Sequence, residues 1–206
     1  MSNNSKYDND GLQYDAKKWS GKDLINIGVY TAIYLVLNIV CSFIGLVPIL
    51  MVCYAFIAPI IGAIPMMIYY TKINKLGMLS ISGIISGAIT GLSGMGIYPF
   101  IFAIIFTVFA DLILKVGKYK SVKAIIASYA VFSLWILGNF FPIFINPTGY
   151  FATRQEYGQE YANALASFLP LWMLPVMAIG IIIAGVIGAY VAKAISKKHF
   201  EKAGLV

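Results

Sequence analysis

Charge is what this sequence has least of. Only 11% of its 206 residues are Asp, Glu, Lys or Arg, and 60% are hydrophobic. A soluble domain carries about a quarter charged residues. The mean hydropathy of +0.84 agrees, and together these figures set the chain among membrane proteins. Its length suits five to seven spanning helices of about 20 residues each, with no room for a separate soluble domain.

Histidine occurs once, as His199 in the basic stretch KKHFEK, and cysteine twice, as Cys41 and Cys53 in apolar surroundings. No CxxC or Cys/His cluster exists, so the several converging ligands of a zinc site are missing. No metal ligand is assigned. The cysteines read as free buried thiols, a disulfide between two helix ends being the alternative. Asp111 is the only acidic residue inside the apolar runs. A pump or proton-coupled carrier needs a chain of ionisable groups across the bilayer, and none is present. An intramembrane hydrolase needs a nucleophile with a base, and no histidine lies in any run. The chain is therefore expected not to be an enzyme, and no catalytic residue is named. Residues 1–23 are polar and include Asp8, Asp10, Asp15 and Asp23. The apolar run that follows is too long for a cleavable signal, so the first run is expected to be retained.

What is present is a set of six apolar runs, at about 24–46, 47–70, 76–93, 96–114, 124–145 and 170–192. The first two nearly touch, which requires a tight turn or a short re-entrant element at 45–48. Pro48 suits the first position of the second helix, where a missing N–H costs nothing. Lysines fall in four segments only. Lys6, Lys17, Lys18 and Lys22 precede the first run, and Lys72 and Lys75 follow the second. Lys115, Lys118, Lys120 and Lys123 follow the fourth, and Lys193, Lys197, Lys198 and Lys202 follow the sixth. Six spans put all four segments on one side, and the positive-inside rule makes that side cytoplasmic. The expected fold is an all-α membrane protein with six transmembrane helices and both termini cytoplasmic. Residues 1–23 form a polar tail, 24–192 the membrane domain and 193–206 a basic tail. Lysines that flank membrane runs make no groove-reading face, so nucleic acid is not expected as a partner; membrane lipid is.

Arginine occurs once, as Arg154 within NPTGYFATRQEYGQEY at 146–161. The segment 146–169 is the one long external connection; those near 45–48 and 94–99 are short. A long loop among short ones suits a lid or binding loop, against the alternative of a solvated surface loop. Tyr157 and Tyr161 stand four apart and would share one face of a short loop helix. With Tyr150 and Phe151 they add rings to Tyr98, Trp135 and Trp172 near the same side, where Asn139 and Asn146 also lie. Interfacial belts account for some of these rings. Aromatic walls with a few polar groups also make a small-molecule pocket, suited to a planar, mostly neutral ligand. Haem would find no membrane histidine and would have to take Tyr or Met. Arg154 offers either a bidentate clamp for a carboxylate or phosphate or a partner for Glu156 or Glu160. Asp111 is expected to pair with Lys115, four residues on.

Small residues recur every four positions at Gly83, Gly87 and Gly91, and at Gly180, Ala184, Gly188 and Ala192, with shorter pairs at Gly28 and Ala32 and at Ala58 and Gly62. Such stripes let helix backbones approach closely, either within the bundle or against another membrane protein.

Six helices, GVYTA at 28–32, SISGIISGAITG at 80–91 and the long connection after run five resemble the substrate-binding S components of energy-coupling factor (ECF) transporters, over about residues 22–195. LWILGNFFPIF at 134–144 and the aromatic loop after it resemble the Trep-Strep group. Gly28 stands where the fuller helix-one signature has an alanine. The resemblance implies a multi-pass plasma-membrane protein that captures a vitamin or other trace nutrient outside the cell. It further implies delivery inward with a transmembrane scaffold subunit and two ATPase subunits. No GxxxxGK[ST] motif is present, so ATP would be used by those partners and no cofactor is expected in this chain. Gly28, Ala32, Gly83 and Gly87 are then docking candidates. Tyr98, Trp135, Asn139, Asn146, Arg154, Tyr157, Tyr161 and Trp172 are substrate-binding candidates. A stand-alone secondary carrier or small channel is the alternative.

Overall fold

A computed structural model describes residues 19–152, 154–202 and 204, the side chains of His199 and Phe200 excepted. The N-terminal lysines Lys6, Lys17 and Lys18 and the acids Asp8, Asp10 and Asp15 lie outside the described residues.

Every apolar run becomes helix. The first is α1, Gly21–Ser42, closed by a 3₁₀ turn, Phe43–Leu46. It begins three residues before the apolar run because Ser20 and Asp23 form a capping box, which satisfies two backbone donors at the helix start. Val47 is extended, and Pro48 opens α2, Pro48–Tyr70, so the expected tight turn is a 3₁₀ turn. Helix α3, Met78–Thr90, runs into a π-turn, Gly91–Met95. Helix α4 is Tyr98–Val116. The fifth span is composite: α5, Val122–Ser133, a 3₁₀ stretch Leu134–Ile136, and α6, Leu137–Ile145. The long connection holds two short helices, α7, Pro147–Ala152, and α8, Gly158–Phe168, joined by a 3₁₀ turn at Gln155–Tyr157. The last span is α9, Met173–Ile195, and α10, Lys197–Lys202, follows it. Among the described residues, six segments are long and apolar enough to cross a membrane.

The spans close into a ring. Helix α1 packs on α2, α2 on α9, α9 on α5, α5 on α4, α4 on α3, and α3 back on α1. The α5–α6 span is the most enclosed. Helices in lipid must satisfy their polar groups among themselves, and the buried tyrosines do so. Tyr129 donates to the Pro59 carbonyl at 2.6 Å, Tyr69 to the Met78 carbonyl at 2.7 Å, and the Tyr70 and Ser128 hydroxyls hydrogen-bond to each other at 3.1 Å.

The small-residue stripes divide cleanly. A Cβ on Gly83 would collide with Thr107, and one on Gly87 with Ala103 and the Pro99 carbonyl, so α3 lies flush on α4. Gly188 meets Pro59, Ile60 and Ala63 of α2, and Gly62 meets the Tyr34 ring. These stripes are consumed by packing inside the bundle. Gly83 and Gly87, named as docking candidates, are buried against α4 within the bundle. Gly28 and Ala32 do face outward, and nothing stands within 4 Å of a Cβ built on Gly28.

Lys75 pairs with Asp23 and joins the start of α1 to the α2–α3 turn. Asp111 is turned toward α3, not Lys115. Its Oδ2 accepts from the Gly77 N–H at 2.7 Å, the Ser80 N–H at 3.2 Å and the Ser80 hydroxyl at 2.8 Å. Gly77 caps α3 with no side chain of its own, so α4 supplies the cap. A buried carboxylate at a helix N-terminus also meets the positive end of the helix dipole.

Candidate functional site

At the lysine-poor end of the ring, α1, α2, α3 and the α5–α6 span part to leave a cavity of about 310 Å³. Its walls are Leu35, Asn38, Ile39 and Ser42 from α1, Met51 and Tyr54 from α2, Ile89 and Thr90 from α3, Ser93 and Met95 from the π-turn, and Trp135 and Asn139 from the fifth span. Among the described residues, no charged side chain lines it. The volume lies at the lower end of the roughly 300–1,000 Å³ of small-molecule sites, and a mostly apolar lining with a few polar groups is their usual character.

The fifth span is shaped for this place. A tighter 3₁₀ stretch within a helix often marks a functional position, and here it carries Trp135, 1% exposed, into the wall. The Trp135 Nε1–H donates to the Tyr34 hydroxyl at 2.8 Å, and the two rings lie 6.2 Å apart. That bond holds the indole in a fixed orientation. Asn38 is 6% exposed; its Nδ2 donates to the Tyr34 carbonyl at 2.9 Å, and the Tyr54 hydroxyl approaches its Oδ1 at 3.5 Å. Asn139 differs from these. It is 5% exposed, and its Oδ1 has no hydrogen-bond partner among the described residues. Leaving a buried acceptor unmade costs about 1–3 kcal/mol, so this amide is a place where a ligand gains what the protein leaves open.

A second layer lies over the π-turn. Gly94 and Gly96 have φ of 104° and 81°, a left-handed backbone that favours glycine, and they fold Ser93 and Met95 back against the cavity. Arg154 holds this turn from outside. Its Nη2 donates to the Gly94 carbonyl and its Nη1 to the Tyr150 carbonyl at 2.9 Å, and the guanidinium lies 3.9 Å from the centre of the Tyr150 ring. The Tyr150 hydroxyl in turn reaches the Met95 sulfur at 3.7 Å. Burial pushes the Tyr150 phenol up, while the Arg154 charge pulls it down. The single arginine thus ties the α7–α8 connection to the cover of the cavity, and the structure does not bring it into the cavity as an anion clamp.

The eight substrate-binding candidates therefore separate into groups. Trp135 and Asn139 line the cavity. Tyr98, Asn146 and Arg154 line a shallower neighbouring space with Tyr150, and the Asn146 Oδ1 accepts from the Gly149 N–H at 2.9 Å, capping α7. Tyr157 lies in the 3₁₀ turn and not on a helix shared with Tyr161, yet the two rings stack at 4.9 Å, and the Tyr161 hydroxyl donates to the Gly45 carbonyl at 2.5 Å. They pin the connection to the α1–α2 turn. Burial pushes the Tyr161 phenol up to about 12. Trp172, 68% exposed at the start of α9, lies on the outside of the bundle. Sequence reasoning missed Asn38, Tyr54, Thr90 and Ser93. A polar residue deep in an apolar run was the available signal for Asn38; nothing marked the others, because only the ring closure brings α1, α2 and α3 against the fifth span.

A family model described as a hypothetical bacterial integral membrane protein (Trep_Strep) matches residues 21–202. No curated protein and no solved structure matches the chain.

Proposed function

We propose, from the premise that this chain belongs to the Trep_Strep family of bacterial integral membrane proteins, that it is the membrane-embedded substrate-binding subunit of an ECF-type importer. Multi-pass membrane insertion is consistent with transport, and the cavity beside Asn139 is the observation that carries the rest. It opens among α1, α2, α3 and the fifth span at the lysine-poor end, which the positive-inside rule makes external. A site there is placed to capture a nutrient from the medium. Among the described residues no charged side chain lines this cavity; of the two acids within the six spans, Asp23 pairs with Lys75 and Asp111 caps α3 through its Oδ2. That favours a carrier driven by partner subunits over one driven by an ion gradient. Energy would come from two ATPases acting through a transmembrane scaffold, and the outward face of α1 around Gly28 and Ala32 is the remaining docking candidate.

The test is purification from bacterial membranes in mild detergent. A scaffold and two ATPases should co-purify, and Gly28→Trp together with Ala32→Trp should abolish that association while leaving the thermal midpoint within about 2 °C. Uptake into liposomes by the chain alone would instead establish a stand-alone carrier.

A further inference from the structure

We infer that the cavity recognises an uncharged, flat ligand through a cyclic amide or ureide edge, an N–H beside a carbonyl, docked on Asn139. This rests on the reading of the cavity as a substrate site. Three observations bear on it. First, among the described residues the lining contains no Lys, Arg, Asp or Glu. A ligand charge brought in here would be buried without a partner, which is strongly unfavourable. Carboxylates and phosphates are therefore excluded. Second, Asn139 is 5% exposed and its Oδ1 is unpartnered. A carboxamide presents an acceptor and an N–H donor side by side in one plane. The group that satisfies both at once presents a donor and an acceptor side by side, which is an amide or ureide edge. An alcohol engages one and leaves the other bare. Third, the surroundings suit a ring. The Trp135 indole is held by its bond to Tyr34, Tyr54 stands on α2, and Leu35, Ile39, Ile89 and Met51 supply apolar contact. An aromatic wall that is already fixed loses little freedom when a flat ligand stacks on it.

Asn38 takes the supporting part. Its amide is already engaged with Tyr34 and Tyr54, so it offers the ligand less than Asn139 does. Discrimination should therefore be concentrated at position 139.

The probe pair is quinazoline-2,4-dione and its 1,3-dimethyl derivative, which keeps the ring and carbonyls but has no N–H. Binding to the purified full chain in nanodiscs is measured by equilibrium dialysis. The dione should bind at least about tenfold more tightly than the dimethyl compound, since the latter leaves the buried acceptor unmade. Asn139→Leu should bring that ratio to about one. The same variant should keep or raise the thermal midpoint of the ligand-free protein, because it replaces an unsatisfied amide with an apolar group of similar volume. Equal affinities in the unaltered protein, no binding of the dione, or a ratio unchanged in Asn139→Leu would each overturn the assignment. So would a fall in the midpoint of Asn139→Leu, which would make Asn139 a structural residue. The outcome is separable from the importer reading: co-purified ATPases without dione discrimination sink only the ligand class, and discrimination without ATPases sinks only the importer.

Discussion

Removing the Asp111 carboxylate should detach the start of α3 from α4. Three donors converge on its Oδ2: the backbone N–H groups of Gly77 and Ser80 and the Ser80 hydroxyl. Hydrogen bonds to charged groups contribute about 1.5–3 kcal/mol each, but bonds sharing one oxygen do not add, and burial of the charge opposes them. Asp111→Ala is therefore expected to cost about 3 kcal/mol. It leaves the Gly77 and Ser80 amides without their acceptor, and Gly77 has no side chain to replace it. Asp111→Asn keeps one acceptor oxygen without the charge. Neutral bonds are roughly half as strong, so its cost should be about 1–1.5 kcal/mol. Unfolding in mixed detergent micelles, followed by circular dichroism, measures both. Amide hydrogen exchange at Gly77 and Ser80 localises the effect and should accelerate in Asp111→Ala ahead of the rest of α3. A loss below about 1 kcal/mol for alanine, or equal losses for alanine and asparagine, would refute the capping role. Partial rescue by Lys115→Ala would return Asp111 to the local ion pair that its spacing suggests.

Three further outcomes are expected. Gly83→Val should destabilise by more than about 2 kcal/mol, since a side chain there meets Thr107 with no room to yield, whereas Gly28→Val should change stability by under about 0.5 kcal/mol in the same assay. Arg154→Lys keeps the charge but loses the planar fork that spans the Gly94 and Tyr150 carbonyls; cysteine labelling at an introduced Leu35→Cys, a buried position on the cavity wall, should become several-fold faster, and an unchanged rate would remove Arg154 from the cover of the cavity. The Tyr161 phenol is raised from 10.0 to about 12, so its stabilising contribution is complete below pH 10 and is lost as pH rises through 12; Tyr161→Phe should abolish that alkaline component in a stability titration, and an unaltered profile would assign it elsewhere.

The membrane class and the six helices were legible because hydrocarbon imposes a simple rule on composition and length. Even the turn at 45–48 was marked by Pro48, whose ring suits the first helical position. The stripes were visible too, but not their use. Gly83 and Gly28 read alike in one dimension, and only the seating of α3 on α4 separates a buried contact from an open face. Arg154 shows the same limit. Its rarity signalled a role, yet whether it clasps an anion, a glutamate or a backbone carbonyl depends on how the π-turn folds beneath it.

By itself, then, the chain's chemistry determined that it spans a membrane six times, because each apolar run is long enough and lysines interrupt it at every second boundary. Tertiary structure alone decided where the cavity lies and which polar groups remain open within it. Asn38, Tyr54 and Asn139 are far apart along the chain, and a hydrogen bond made or left unmade between them is a property of the closed ring, invisible in any single helix.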